Sequence, residues 1–350
     1  MRKFIGTYVY SILLLAVVII IFDFAEKFDD FQSKKAPVAG IIFDYYLNFL
    51  PYFVNMFSAL FTFIAVTFFT SKMASNTEIV AILNGGISFK RFLKPYFVGG
   101  MIITVLSFVL MNYVIPFTNR DFREFEKKYI KNKFVVRDVN IHMQIEPNTY
   151  VYVESFRNIE GVGYKFSLEK FRKNEMVEKI NAEEIRWDSI KQKWQLNNFD
   201  MRKIYNDKEV IRYGSSLDTA MGFKPEDFAI DIEDSKIMTY TQLTKFIKRE
   251  KMRGNGIARK FDTERAKRVA FPFANLILTF IGVSLSSRKV RGGIGMHMGL
   301  GIAIAFTYII LQQITSVFSV FGNLPADIAL WIPNIIYAVV ALYLLKVAPK

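Results

Sequence analysis

The sequence has 350 residues, of which 52% are hydrophobic, and it carries a formal net charge of +14 with no cysteine. This hydrophobic fraction, together with 35 phenylalanines and a positive mean hydropathy, excludes an ordinary soluble globular protein. The lack of cysteine excludes disulfides and thiol chemistry, and no phosphate-binding loop of the G-x-x-x-x-G-K-[ST] type occurs.

Six uncharged stretches are long enough to cross a bilayer, which requires about 20 apolar helical residues. They cover residues 4–22, 45–71, 95–119, 269–287, 292–326 and 328–345. Residues 120–268 contain no such stretch. The sequence therefore predicts an α-helical membrane protein with six transmembrane helices, three before and three after an inserted domain.

The distribution of lysine and arginine predicts the orientation, because cytoplasmic flanks of membrane helices carry an excess of both. With the N-terminus inside, the cytoplasmic flanks hold Arg2, Lys3, Lys72, Lys90, Arg91, Lys94, Arg288, Lys289, Arg291, Lys346 and Lys350. The short outer loops hold only Lys27, Lys34 and Lys35. We therefore predict that both termini are cytoplasmic and that the middle domain is periplasmic, so the positive charge needs no nucleic acid.

The middle domain has the alternating pattern of β-strands. Apolar and polar residues alternate in 141–145 and 149–153, and longer strand-like segments follow at 161–171, 176–187, 194–205 and 210–217. Lys173-Asn174 and Asn206-Asp207 are typical turn sequences between them. Six or more strands with short turns predict an all-β sandwich, a jellyroll-like fold or a partly open barrel.

These patterns divide the chain into four parts. Residues 1–120 hold the first three membrane helices, with a short cytoplasmic helix at about 75–84. Residues 121–240 form the periplasmic β domain, 241–267 a linker, and 268–350 the last three membrane helices.

The short cytoplasmic helix carries its own start and stop signals. Ser75 and Glu78 have the spacing of a capping box, and Asn84-Gly85-Gly86 tolerates the left-handed dihedrals that end a helix. Its apolar face consists of Ile79, Ile82 and Leu83. Two interpretations remain open: Glu78 only caps the helix, or the helix docks on a cytoplasmic partner.

Catalytic chemistry is not indicated. His142 and His297 are the only histidines, which is too few for a zinc site, so we predict no catalytic residue, metal or cofactor. Pro272 can bend the fourth membrane helix and Pro333 the sixth where neighbouring helices repair the lost hydrogen bond.

Three stretches together resemble one family of membrane proteins. NTEIVA at 76–81, followed by GGIS at 85–88 and Pro95, resembles the coupling-helix region of the LptF/LptG lipopolysaccharide export permeases. ERAKRVAFPF at 264–273 and WIPN at 331–334 are similar to the same family, in the same order and spacing. The resemblance covers the whole chain, including three helices, a β domain and three helices, and the compact length favours the LptG-like half.

The resemblance implies a subunit of an ABC transporter in the bacterial inner membrane. Such a permease pairs with an LptF- or LptG-like partner, binds a dimer of the ATPase LptB through its coupling helix, and passes lipopolysaccharide through a jellyroll towards LptC and LptA. Glu78 then matches the acidic residue that faces LptB. The alternative is a membrane-anchored sensor or scaffold whose β domain binds a ligand.

An exporter of this kind needs cations for lipid phosphates near the outer interface. Lys27, Lys34 and Lys35 are the candidates. In the other interpretation they only balance nearby acids, which are Asp23, Glu26, Asp29 and Asp30.

Overall fold

The computed structural model describes residues 1–130, 139–173, 175–205, 208–228, 230–288 and 293–348. Lys289, Arg291 and Lys350 of the orientation pattern, and the predicted turn residues Asn174, Asn206 and Asp207, lie outside these ranges.

The chain forms two compact units. The membrane unit comprises Met1–Ile130, Lys236–Tyr240 and Asp262–Lys350, and the β unit comprises Lys131–Ser235 and Thr241–Phe261. The first division lies after residue 130 rather than at 120, because the third membrane helix continues as a charged helix to Tyr129. The predicted linker 241–267 is divided between the two units at Phe261 and Asp262.

We describe the α-helical segments of these ranges as nine helices. In chain order they are α1 (Arg2–Ser33), α2 (Val38–Ser75), α3 (Glu78–Asn84), α4 (Phe89–Tyr129), α5 (Tyr240–Met252), α6 (Ile257–Ala270), α7 (Phe273–Ser286), α8 (Gly293–Phe321) and α9 (Ala326–Val347). Five of them, α1, α2, α4, α8 and α9, are individually long and apolar enough to cross a membrane. The bent pair α6 and α7 passes the same test when the two helices are taken together, and counting it as one span gives six spans in the described ranges, the predicted number.

The two prolines singled out by the sequence behave differently. At Pro272 the chain breaks between α6 and α7 and the two helices meet at 46°, as predicted. Pro333 instead lies in the first turn of the segment Ile332–Val347, where its missing N–H is not needed for the helix. The helical segment Ile332–Val347 of α9 therefore begins at this proline.

Glycines allow the membrane helices to approach each other closely. A Cβ atom added at Gly99 would lie 2.7 Å from the Phe4 ring, and one at Gly301 would lie 2.5 Å from the Phe63 ring. By contrast, Gly295 and Gly299, four residues apart at the start of α8, have no neighbour within 4 Å in the described residues. Packing within this chain thus uses glycines without the four-residue spacing.

The β unit contains one antiparallel sheet. Its strands are β1 (Val139–Glu146), β2 (Thr149–Arg157), β3 (Val162–Arg172), β4 (Glu175–Asp188), β5 (Lys193–Tyr205) and β6 (Lys208–Thr219). They pair in chain order, each with the next, so the sheet is a meander. The all-β prediction is confirmed, whereas the Greek-key crossover that defines a strict jelly roll is not among the described strands. Short hairpin connections keep consecutive strands adjacent.

A row of unpaired residues crosses this sheet. In each strand pair, one residue and the residue opposite it on the neighbouring strand are not paired, for example Glu154 of β2 and Lys165 of β3. The row consists of Asn140, Glu154, Lys165, Glu183, Asn198 and Ser215. The strand register is the same on both sides of this row, but the inward and outward alternation of β2, β3, β4 and β5 reverses there. Because these neighbouring strands reverse together, the apolar face stays continuous: Val153 and Phe156 are both buried.

The apolar face of the sheet is covered by the chain that follows β6. Trp194 is fully buried, and its Nε1 atom donates a hydrogen bond to the Phe223 carbonyl over 2.9 Å. Phe223 and Phe228 pack against the Trp194 ring at centroid distances of 5.3 and 5.9 Å. The β unit therefore has a filled aromatic core.

Candidate functional site

The membrane unit contains a cavity of about 260 Å³ between α2, α4, α6, α7 and α8. One part of its wall is apolar and includes Met56, Met111 and Ile309. Another part carries charged and amide side chains, contributed by Asn55, Lys236, Glu264, Lys267, Arg268, Asn275, Gln312 and Gln313. We call it the amphipathic pocket. Such a division of polar and apolar walls suits a molecule that has an anionic head and an apolar body.

Three cationic side chains line the amphipathic pocket, against the single carboxylate of Glu264. The Lys236 Nζ atom lies 4.6 Å from the Tyr52 ring centroid, and the Lys267 Nζ atom lies 6.0 Å from that of Phe271. Arg268 is 2% exposed, and its guanidinium donates to the Met238 carbonyl over 2.7 Å. A buried arginine in a membrane span is costly, which marks it as a functional candidate.

Amides line another part of the pocket wall. The Asn275 Oδ1 atom accepts hydrogen bonds from Ser58 and Thr62, each over 2.9 Å, so one amide joins α7 to α2. The Asn55 Oδ1 atom accepts a 2.6 Å bond from Ser107 of α4. These amides join the helices that form the pocket.

The three lysines predicted to bind phosphate lie elsewhere. The Lys27 Nζ atom is 2.5 Å from both Asp23 Oδ1 and the Tyr45 hydroxyl. Lys34 donates to the Ile130 carbonyl over 3.0 Å, and Lys35 is exposed with a left-handed φ of 50°. For Lys27 the geometry matches the interpretation in which it balances a nearby acid.

The short helix α3 begins later than predicted. It starts at Glu78 rather than at 75, because Ser75 still belongs to α2 and donates to the Lys72 carbonyl. The predicted capping box does not form: Thr77 occupies the N-cap with a φ of 59°, and Glu78 accepts from Asn76. The predicted end is found, with Gly85 at the C-cap.

The apolar face of α3 packs against its own chain. Ile79 is 1% exposed within a cluster that includes Phe89 and Val283, and Ile82 and Leu83 pack against the same cluster. In this structure the Ile79 side chain is thus buried against its own chain. Glu78 and Val80 are exposed, Val80 to 54%.

Sequence reasoning missed the pocket cations. Lys267 is the last residue of the predicted linker and Arg268 the first of the predicted membrane segment 268–350, whereas in the structure both lie inside one helix that begins at Ile257. Two cationic residues directly before an apolar membrane helix were the sequence signal that could have revealed this part of the site. Lys236 had none, since it lies in a short 3-10 helix (Ile232–Ile237) that only the fold places beside Tyr52.

Comparison with known proteins agrees with the layout of helices and sheet. The family model described as "Lipopolysaccharide export system permease LptF/LptG" matches residues 1–347. The lipopolysaccharide export system permease protein LptG of Escherichia coli K12 is 18% identical over 304 residues, which cover 86% of this chain and 84% of the relative. The LptG protein of E. coli O6:H1 strain CFT073 matches with the same values. This chain is a multi-pass membrane protein that belongs to the LptF/LptG family of lipopolysaccharide export permeases.

Proposed function

We propose that this chain is the transmembrane half of an ABC-type exporter, LptG-like, which takes lipopolysaccharide from the bacterial inner membrane. The observation that carries the proposal is the amphipathic pocket with Lys236, Lys267 and Arg268 in its wall. Phosphates of the glycolipid head would bind these cations, and acyl chains would contact the apolar wall. The partners are an LptF-like permease, an LptB-like ATPase dimer, and LptC- and LptA-like periplasmic proteins.

Photo-crosslinking tests the pocket. A photoreactive residue replaces Met111 in the pocket wall, and the control replaces Leu13, which is 60% exposed on α1. In membranes that contain the partner permease and ATPase, we expect crosslinks to lipopolysaccharide at Met111 that exceed those at Leu13. Equal labelling at both positions would contradict a specific site.

Charge removal tests the phosphate contacts. A hydrogen bond to a charged group is worth about 1.5–3 kcal/mol, so Lys267→Gln should weaken crosslinking about tenfold or more. Lys248→Gln is the matched control, because it removes the same charge from an exposed position of α5.

The lysines Lys27, Lys34 and Lys35 form a second candidate set, of which Lys35 is the most exposed. Lys35→Gln tests that set in the same assay.

Coupling to the ATPase is proposed to use the exposed side of α3. Glu78 and Val80 would contact the ATPase, and buried Ile79, with Ile82 and Leu83 beside it, would transmit its movement to the membrane helices. Val80→Asp should abolish co-purification of an LptB-like ATPase, and Glu78→Ala should weaken it. Lys72→Ala, an exposed change on α2, is the control. Normal recovery with Val80→Asp would reject this contact.

The proposed route continues through the β unit. Acyl chains would bind the apolar face of the sheet, which Phe223 and Phe228 occupy in this structure. A photoreactive residue at Phe223 should therefore label lipopolysaccharide only when the exporter hydrolyses ATP. Labelling that is independent of ATP would argue against this route.

The proposed orientation has cytoplasmic termini and a periplasmic β unit. The chain has no cysteine, so single cysteines can be introduced at exposed sites. Cys at Lys248 should react with a membrane-impermeant maleimide from the periplasm, whereas Cys at Lys90 should not. The opposite pattern would reverse the orientation.

A further inference from the structure

A gap in backbone hydrogen bonding lies where α6 meets α7. In a continuous helix the Arg268 carbonyl would accept from the N–H of residue 272, but Pro272 has none. The two helices meet there at 46°. Lipid offers no donor to a carbonyl left open in this way, so the bend requires donors from elsewhere in the protein.

Two asparagine side chains supply these donors. The Asn112 Nδ2 atom lies 3.3 Å from the Arg268 carbonyl oxygen, and the Asn334 Nδ2 atom lies 2.7 Å from that of Ala270. Asn112 is 3% exposed and Asn334 is 2% exposed. Asn112 lies in the π-helical segment Leu110–Val114 of α4, an irregularity often associated with function. We call Asn112, Asn334 and the two carbonyls the asparagine clasp.

The orientation of the Asn112 amide is fixed by its neighbours. Its Nδ2 atom also donates to the Phe108 carbonyl over 2.9 Å, so both nearby partners are acceptors. Within the described residues the buried Oδ1 atom receives no hydrogen bond. In the described residues the Asn112 amide therefore acts as a donor, and the Arg268 carbonyl at the bend is one of its two acceptors.

The asparagine clasp is bonded to the wall of the amphipathic pocket. The Asn334 Oδ1 atom accepts from the Tyr308 hydroxyl over 2.6 Å, and Gln312 donates to the same hydroxyl over 2.7 Å. Gln312 lines the pocket, and so does Arg268, whose carbonyl Asn112 holds. Both halves of the clasp are therefore one or two hydrogen bonds from the pocket.

We infer that Asn112 and Asn334 are positioning residues, which set the angle between α6 and α7 and thereby hold Lys267 and Arg268 at the amphipathic pocket. The identity of the ligand in this inference rests on the proposed function, whereas the role of the two asparagines in setting the angle does not depend on it. Arg268 and Gln312 both line the pocket, so a changed angle should alter the binding of its ligand.

Distance measurements on the complete chain test the angle. Spin labels on Lys260→Cys in α6 and Leu285→Cys in α7 report the bend without interference from native cysteine. We expect Asn112→Leu and Asn334→Leu to broaden the distance distribution. Asn48→Leu is the control, since Asn48 also donates to carbonyls of its own helix but lies away from the bend. An unchanged distribution in both clasp variants would overturn the inference.

A rescue experiment separates positioning from general damage. Pro272→Ala restores an N–H for the Arg268 carbonyl, so the distribution should shift to longer distances. Adding Asn112→Leu to this variant should then have no further effect, because the donor is no longer needed. If Asn112→Leu broadens the distribution equally in both backgrounds, the clasp is not its cause.

Binding of purified lipopolysaccharide distinguishes this inference from the proposed function. Loss of one clasp hydrogen bond should weaken binding about fivefold. A changed angle with unchanged binding would reject the positioning role. If the unaltered chain binds no lipopolysaccharide but the clasp variants change the angle, the proposed function fails while the clasp remains.

Discussion

The membrane unit and the β unit place their polar side chains in opposite ways. In the membrane unit, buried amides such as Asn112, Asn275 and Asn334 bond to backbone carbonyls. In the β unit, polar side chains lie on the outer face of the sheet and bond to each other, as Asn181 does to Asp200 over 2.9 Å.

The solvent explains this difference. Lipid supplies no hydrogen bonds, so an open backbone carbonyl in the membrane unit needs a donor from the protein, and the amides of Asn112, Asn275 and Asn334 provide it. Water competes for the polar groups of the β unit, so its stability depends on the aromatic core. From this comparison we expect truncation of a core side chain to lower the stability of the β unit most, and loss of a buried amide to lower the stability of the membrane unit.

The largest effect is expected for Trp194→Ala. Removing this fully buried ring should cost about 3–5 kcal/mol and unfold the β unit at lower denaturant concentration. Hydrogen exchange of the strands measures the change. Tyr213→Ala is the control, because this aromatic side chain on β6 is 75% exposed and should have little effect. Similar loss of protection in both variants would break the comparison.

The next effect is expected for glycine contacts in the membrane unit. Gly301→Val would force a side chain against the Phe63 ring and should destabilise the unit by roughly 1–3 kcal/mol in detergent unfolding. Gly299→Val, two residues earlier on the same helix, meets no atom within 4 Å in the described residues and should be tolerated. Equal destabilisation by the two variants would contradict the role assigned to the close contact of Gly301.

A smaller effect is expected for Asn275→Leu. This change removes the acceptor for Ser58 and Thr62 and the 3.0 Å bond from Asn275 to the Pro272 carbonyl. A cost of about 1–2 kcal/mol should follow, measured by unfolding in mixed micelles. Asn197→Leu, an amide on the outer face of the sheet that donates to Glu184, should cost less. The reverse order would contradict the role assigned to the solvent.

The smallest effect is expected for the exposed ion pair in the row of unpaired residues across the sheet. The Lys165 Nζ atom lies 2.6 Å from Glu154 Oε2, and this bond raises the pKa of Lys165 above its ordinary value of 10.5. Because the pKa of Lys165 is raised in the folded state, any stabilisation from this pair is fully present at pH values below the ordinary lysine pKa. It is lost as the pH rises through the pKa of the folded state. Lys165→Gln should leave the unfolding midpoint at neutral pH unchanged, because water screens the pair. A clear drop would show that the row is structurally important.

Local patterns predicted most elements of both units, but not the start of α3. Uncharged stretches of sufficient length predicted the six spans because lipid requires them, and the glycines after Asn84 predicted the end of α3. Alternation predicted the strands because one face of the sheet is buried. It could not reveal the row of unpaired residues across the sheet, since these residues form a row only when the strands are aligned.

The sequence by itself determined the membrane class, the inserted sheet and the family, because these depend on residue order and composition along one chain. Only the tertiary structure decided which cations share a pocket. It placed Lys236 near Lys267 and Arg268 in the pocket wall, paired Lys27 with Asp23, and buried Ile79. Such contacts join residues far apart in the chain, and their free energy depends on the packed arrangement of helices, which no local pattern encodes.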